Sequence, residues 1–362
     1  MVFGNSQFTE TILNIGGEFM ENKSDRFRDI KVERMVEMAY AYKKTGTLLA
    51  GIEFGLFTAI SDGAGTVEQI SEKTGVAEES IDRLLTACKA LDLVYETDGR
   101  HQNYNDVERY LVGSSQTYFG DFLVYDAKVT YDSWKELATQ IRGSGQPAPE
   151  KPYLAMMADP EEARKFTVAG YNASLSLAHR FAKRFDFSKY KKWLDFAGGS
   201  GCYSIAACER FPNLKSVILD QANVIPVTRE FIAKHKLEER IEARQGNFLE
   251  PNYPQGFDLI SFITPLQAYM PGDLKQIFDH TFQALDPGGT ILIIDYMLND
   301  EKTGPLDPAL MNLQMISDGH YMGRVNTSAE FEEFLMEVGF EKMDQWWLLD
   351  HQLGVVTATK PG

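Results

Sequence analysis

Histidine, cysteine and positive charge are all scarce in this chain, and each scarcity removes a class of function. Of its 362 residues only three are cysteines and six are histidines. Cys88, Cys202 and Cys208 lack metal-ligand spacing and leave one over from any disulfide, so they read as small buried hydrophobes in a reducing compartment. His101, His235, His280 and His351 share no spacing that would gather a metal, and His179 sits on a mixed helix where a structural role is expected. No metal site is assigned. Lys and Arg number 36 against 52 Asp and Glu, a formal net charge of −16. That balance repels phosphate and argues against nucleic-acid and anionic-membrane partners. No basic start leads into an apolar core and cleavage site, and no apolar run approaches the ~20 residues of a membrane span, so a cytoplasmic protein is expected.

With 44% hydrophobic and 24% charged residues, the chain has ample core and is long enough for two domains. The expected division is 1–150, mainly helical, and 151–362, α/β. From Val32 to Ile60 the apolar positions, Met35, Met38, Tyr42, Leu49, Ile52 and Leu56 among them, recur at helical spacing and suit a core or a subunit interface. Thr66 opens a helix, Thr74-Gly75-Val76 turns, a second helix runs from Glu78 to Leu91, and Val94-Tyr95 leads to an Asp98-Gly99 turn. The pattern is a helix-turn-helix with a two-stranded wing. Its second helix carries Glu78, Glu79 and Asp82, which phosphate would repel, so a structural or dimerising role is expected rather than DNA binding. A helical stretch from Ser115 to Ile141 holds Tyr118, Phe119, Phe122, Tyr125, Tyr131 and Trp134. A Gly/Pro-rich segment over 143–152 reads as an ordered surface loop, and Pro160 to Phe185 as one or two helices.

From Trp193 onward strands alternate with helices, which predicts a mostly parallel sheet covered on both faces. Trp193-Leu-Asp-Phe-Ala-Gly-Gly-Ser-Gly201 is an apolar run ending in an acid and a glycine-rich turn, with helical spacing from Cys202 to Arg210 directly behind. Such a turn lets the backbone approach a ligand closely. Val217-Ile-Leu-Asp220 is a second apolar run ending in an acid, where a carboxylate would grip ribose hydroxyls. Gln245-Gly-Asn-Phe248 closes a third strand, and Asp195, Asp220 and Asn247 are expected to converge on one crevice at the strands' carboxyl ends. A fourth strand, Phe257 to Ile263, opens into Thr264-Pro-Leu-Gln-Ala-Tyr269. Leu285-Asp-Pro-Gly-Gly-Thr290 introduces another.

Taken together, D-F-A-G-G-S-G, the acid at Asp220, G-N-F and L-D-P-G-G-T-I-L-I-I-D resemble a class I S-adenosylmethionine-dependent methyltransferase. The helical, winged region ahead of them narrows the resemblance to the small-molecule O-methyltransferases typified by plant phenolic and hydroxyindole enzymes, over roughly residues 35 to 360. The resemblance implies a Rossmann-like catalytic domain, an N-terminal domain that forms a homodimer, and S-adenosylmethionine as cofactor. It also implies that Gly199 and Gly201 approach the cofactor's amino-acid part, that Asp220 binds its ribose, and that Asn247 and Phe248 contact its adenine, with Asp195, Ala197, Gln221 and Ile263 completing the cofactor site. Ala197 replaces the family's first loop glycine. Asn247 replaces its usual acid, though the amide oxygen still accepts a hydrogen bond.

A third departure bears on the reaction. Where the family carries its catalytic histidine, in a Leu-His-Asp-Trp segment, this chain has Leu266-Gln267-Ala268-Tyr269. Where the family's Glu-Arg-Thr orients that histidine, it has Val325-Asn326-Thr327. An amide takes no proton at neutral pH, so hydroxyl activation is lost while a thioether or an electron-rich carbon still reacts. The favoured acceptor is therefore a small thioether acid such as 4-methylthio-2-hydroxybutyrate, the substrate of bacterial S-methyltransferases in dimethylsulfoniopropionate synthesis. The alternatives are a hydroxylated aromatic whose base comes from Tyr269, Tyr171 or His320, a tetrapyrrole-like ring carbon, and, from another class, a cofactor-sensing regulator without catalysis. Gln267, Tyr171 and His320 are the catalytic candidates, Gln267 as a positioner rather than a base. Tyr125, Tyr131, Tyr171, Gln267, Met311, Met315, His320 and Arg324 are the acceptor-binding candidates, the aromatics by cation–π attraction to a sulfonium product and His320 with Arg324 by anchoring a carboxylate.

Overall fold

The computed structural model describes residues 31–115, 117–143, 157–317, 323–349 and 352–362. The segment following Gly143, read above as a loop, lies outside them, as do His320 and His351. The chain divides into two compact units, Met1–Ala50 and Gly51–Gly362. In the first, described residues 32–50 belong to the helix Val32–Glu53, on which Met35, Met38 and Tyr42 are exposed.

The second unit begins with the winged module that the turn residues predict. The helix Val67–Thr74 starts at a capping box in which the Thr66 hydroxyl accepts from Gln69 N–H and the Gln69 side chain accepts from Thr66 N–H, satisfying two end donors at once. The helix Glu78–Ala90 follows. Strands β1 (Val94–Thr97) and β2 (Arg100–Asn103) pair antiparallel around Asp98-Gly99, both at positive φ as a tight hairpin turn requires. Ile70, Ile81, Leu85 and Cys88 are fully buried beneath them. The aromatic-rich stretch is two helices, Gly120–Lys135 and Leu137–Gly143, rather than one. The first ends at Glu136, whose N–H turns back to Ser133 O.

The remaining strands form one seven-stranded sheet in the order β5-β4-β3-β6-β7-β9-β8. They are β3 (Lys192–Phe196), β4 (Lys215–Asp220), β5 (Ile241–Gln245), β6 (Phe257–Ile263), β7 (Leu285–Tyr296), β8 (Glu341–Leu349) and β9 (Leu353–Thr359). The first five in sheet order run parallel, while β9 is antiparallel to β7 and β8 to β9. Burial on both faces explains their nearly continuous apolar runs. Because side chains alternate, Trp193, Leu259, Leu292 and Ile294 join one core cluster while Leu194, Phe196, Ile260, Phe262, Ile291 and Ile293 join the other. The long helix Pro160–Arg184, capped by Asp159, packs with the helix Cys202–Arg210 on the first of these faces.

Candidate functional site

The order of strand addition reverses at β3: the next strand in sequence lies on one side of it and β6 on the other. The turns leaving β3, β4, β6 and β7 therefore share one carboxyl edge beside a topological switch point, where ligands of open parallel sheets bind. Phe196 pairs with Phe262 and Phe262 with Ile293, which puts Ala197, Ile263 and Ile294 at one level.

The turn after β3 is bent by left-handed backbone at Ala197, Gly199 and Gly201, with φ of 52°, 54° and 78°. At Ala197 an L side chain bears strain of roughly 1–2 kcal/mol that the family's glycine would not. A Cβ on Gly198 would lie 2.8 Å from Asp195 Oδ2, and one on Gly201 2.8 Å from Ile218 Cδ1, so both glycines are needed for the turn to close on the sheet. Gly199 instead faces open space, with nothing within 4 Å of its would-be Cβ. Its N–H donates to Asp220 Oδ2 at 2.7 Å, the Gln221 N–H donates to Oδ1 at 2.7 Å, and the Thr228 hydroxyl donates to Gly199 O at 2.6 Å. Burial pushes the Asp220 carboxyl up to about 6, against the pull of the two N–H groups.

Asp195 does not join Asp220 at the crevice. Its position in β3 points it at the helix Cys202–Arg210, where Oδ2 accepts from Ser204 Oγ at 2.7 Å and Oδ1 from Ser261 Oγ at 2.8 Å. Ser204 also bonds Ser216, and Trp193 Nε1 donates to Ser261, both at 2.8 Å. Asp195 is 1% exposed, and burial lifts its carboxyl to about 6 despite the two hydroxyls. The expectation that it contacts cofactor is corrected: it braces the strand beneath the loop. The three serines escaped the sequence reading, although Ser261 in F-D-L-I-S-F-I is a lone polar residue on the face that Asp195 occupies.

Asn247 is exposed and its Oδ1 accepts from Leu249 N–H at 3.0 Å, while Phe248 sits edge-on to Phe196, Phe262 and Tyr269 with centroids 6.1, 5.7 and 5.4 Å away. Ile263 is buried at the end of β6.

Next to it, Thr264 takes φ 62°, an outlier for a β-branched residue, and a 3₁₀ turn, Leu266–Ala268, carries Gln267. The Gln267 Oε1 atom is buried without a hydrogen-bond partner among the described residues. Beneath the turn lies Asp295, at the end of β7. Its Oδ2 accepts from Leu266 N–H at 3.0 Å and its Oδ1 from Tyr296 N–H at 2.8 Å, and burial raises the carboxyl to about 7 while these N–H groups and that of Gln267 oppose the rise. Asp295 too is an acid closing an apolar strand, as Asp220 is, and that signature in L-D-P-G-G-T-I-L-I-I-D is the one that points to it. Gly323 covers the turn from the other side: a Cβ there would lie 2.4 Å from Gln267 O. The helix Leu306–Ser317 packs on the turn, with Met315 buried and Met311 half-buried.

The other acceptor candidates are dispersed. Tyr125 is half-buried against Phe166, ring centroids 6.0 Å apart, and Lys135 Nζ lies 5.3 Å from the Tyr131 ring. Arg324 donates from Nε to Asn326 Oδ1 at 3.1 Å and from Nη2 to Glu330 Oε1 at 2.8 Å. The fork expected to grip a ligand carboxylate thus already holds one from the protein. Tyr171 is a correction as well. Its ring stacks on Phe231 at 3.8 Å, its hydroxyl meets His235 Nε2 at 2.6 Å, and His235 Nδ1 meets Glu209 Oε1 at 2.7 Å. Both partners sit at the far ends of helices leading away from the cofactor-side loops, so Tyr171 clamps helices and neither binds nor activates an acceptor. Tyr171→Phe should lower unfolding free energy by about 1 kcal/mol in denaturant titration and leave cofactor affinity unchanged. A fall in affinity would return it to the site.

A cavity of about 380 Å³ between Met297–Glu301 and Gln345–Trp347 contains none of the converging groups.

Comparison with known families matches residues 134–341 to the O-methyltransferase domain and 36–110 to the O-methyltransferase dimerisation domain. The chain is 29% identical over 307 residues to a 3-hydroxy-5-methyl-1-naphthoate 3-O-methyltransferase of Streptomyces sahachiroi, covering 84% of this chain and 88% of that protein. It is 26% identical to the N,N-dimethyltransferase OxyT of Streptomyces rimosus, covering 90% and 96%. The structure of human N-acetylserotonin methyltransferase in complex with S-adenosylmethionine superposes with a TM-score of 0.82 at 22% identity, covering 94% of this chain and all of that one, a likeness of fold.

Proposed function

Because the chain belongs to the O-methyltransferase family and is an S-adenosylmethionine-dependent methyltransferase, we propose that it methylates a small acceptor that needs no deprotonation, a thioether acid of the 4-methylthio-2-hydroxybutyrate type. The residues present fit the cofactor. Open space at Gly199 leaves room for its amino-acid part, Asp220 presents a carboxylate for the ribose, and the Phe248 ring offers an apolar edge for the adenine. When bound, the cofactor supplies an electrophilic methyl group on a sulfonium.

Gln267 on the turn after β6 carries the reading of the acceptor. An amide there positions but takes no proton, and the neighbouring Tyr269 phenol, pushed by burial up to about 12, stays protonated at neutral pH and is no base. A thioether sulfur brings its own lone pair, so transfer releases no proton and proximity and orientation suffice. The occupied fork of Arg324 leaves the acid's carboxylate without the anchor that the sequence suggested. O-methylation of a hydroxylated aromatic is the second reading, favoured by the naphthoate-methylating relative. Incubating the protein with labelled cofactor and matched thioethers, phenols and ring carbons decides between them; phenol methylation without thioether turnover would overturn the first. Gln267→Ala should lower kcat/KM for the acceptor by about tenfold, whereas removing a true base would lower it by roughly 10²–10⁴.

A further inference from the structure

We propose that Tyr253 is a positioning residue for S-adenosylmethionine: its hydroxyl fixes the backbone of Phe248, and with it the ring that meets the adenine. That role rests on the reading of Phe248 as the apolar edge beside the adenine. Tyr253 lies in the connection between β5 and β6, five residues beyond Phe248. Residues 247 and 249–252 of that connection are exposed and Phe248 is half-buried, whereas Tyr253 is only 6% exposed. A phenol that sinks into the core from an otherwise solvated turn is placed to anchor it.

The turn is tied to the sheet at both ends. On the β4 side the Gly246 N–H donates to Asp220 O at 3.1 Å, and a Cβ on Gly246 would lie 3.0 Å from Leu219 Cβ. At the other end the Tyr253 hydroxyl donates to Phe248 O, while the Tyr253 ring packs against Phe196 and His280 with centroids 4.5 and 5.5 Å away. The Leu249 and Glu250 N–H groups turn back to Asn247 at 3.0 and 3.1 Å, so they shape the turn without holding it to the sheet. Burial pushes the Tyr253 phenol above its usual range, which keeps it a donor. Phe196 closes β3 directly before the glycine turn, so Tyr253 references Phe248 to the strand end that carries the cofactor-side loop. Without the hydroxyl, the Phe248 carbonyl loses its partner in the core, and the ring is free to slide over Phe196 and Phe262 instead of holding one place.

The test is calorimetric titration of the full-length protein with S-adenosylhomocysteine and, by displacement, with S-ribosylhomocysteine, which carries a hydroxyl in place of the adenine. Tyr253→Phe keeps the ring in the core and removes only the donor. It should weaken the adenosyl ligand by about three- to tenfold, the contribution of one ordinary hydrogen bond, and leave the ribosyl ligand within about twofold of the parent. Phe248→Leu, which keeps apolar bulk without the ring, should weaken the adenosyl ligand at least as much. Adding Tyr253→Phe to it should bring no further loss, because residues that act through one contact are not additive. Unchanged adenosyl affinity in Tyr253→Phe, equal weakening of both ligands, or additive losses in the double variant would overturn the proposal while leaving Phe248 beside the adenine. Unchanged adenosyl affinity in Phe248→Leu would overturn both.

Discussion

Asp220→Ala should reduce affinity for S-adenosylmethionine by about a hundredfold or more in titration calorimetry. The carboxylate lies at the end of β4 with each oxygen already accepting one backbone N–H, from Gly199 and from Gln221, and each retains a lone pair for a ribose hydroxyl. Hydrogen bonds to a charged group contribute about 1.5–3 kcal/mol apiece, so losing two corresponds to at least about two decades of affinity. The substitution also releases Gly199, whose left-handed turn is tied down by that same carboxylate. Affinity within twofold of the parent would remove Asp220 from the site. The pH dependence has a definite sign. Burial lifts the carboxyl to about 6, and only the ionised form offers all its lone pairs, so cofactor affinity should fall as pH drops from 7 to 5. Asp220→Asn should bind weakly and without that break.

How much of this was legible in the sequence follows from the range over which each feature is encoded. The strands, the helices behind them and the winged module depend on local periodicity and turn residues, and Thr66-x-x-Gln69 or Asp98-Gly99 can be read directly. The place of Asp220 at the loop edge was legible because it is an acid that closes an apolar strand ahead of a turn. Asp195 shows the limit of that rule. It has the same local signature, but its partners Ser204 and Ser261 come from two other elements, and only the pairing register shows that it faces a helix rather than the crevice. Tyr171 fails for a similar reason: its fate depends on His235 and Glu209, 64 and 26 residues apart along the chain in their two contacts. The replaced histidine was visible as a departure from the family pattern, but the bare Oε1 of Gln267 was not, since lacking a partner is a property of the whole fold.

Asp295 is where the largest combined loss of stability and activity should appear. Replacing it with alanine leaves the N–H groups of Leu266 and Tyr296 buried without an acceptor, at about 1–3 kcal/mol each, and frees the turn that holds Gln267. The expected outcome is a drop of about 2–5 kcal/mol in unfolding free energy and a fall in kcat of tenfold or more, while cofactor affinity, set on β3 and β4, changes little. Asp295→Asn isolates the charge. In the native protein burial raises this carboxyl to about 7, whereas in the unfolded chain it titrates near its usual ~3.9. Between those values the native state binds the extra proton, so Asp295 contributes stability that is fully present below about pH 4 and is lost as pH rises through about 7, at up to about 1.4 kcal/mol per pH unit. Asp195 and Asp220, both lifted to about 6, slope the same way and remain in the variant. Denaturant titrations at pH 5 and pH 8 should therefore show a smaller difference for Asp295→Asn than for the parent, the change accumulating from pH 5 to about 7 and levelling off above it. An undiminished difference would mean that Asp295 is ionised in the folded protein throughout that range. The turn beneath Gln267 would then be held by a full carboxylate, and kcat should lack an inflection near pH 7.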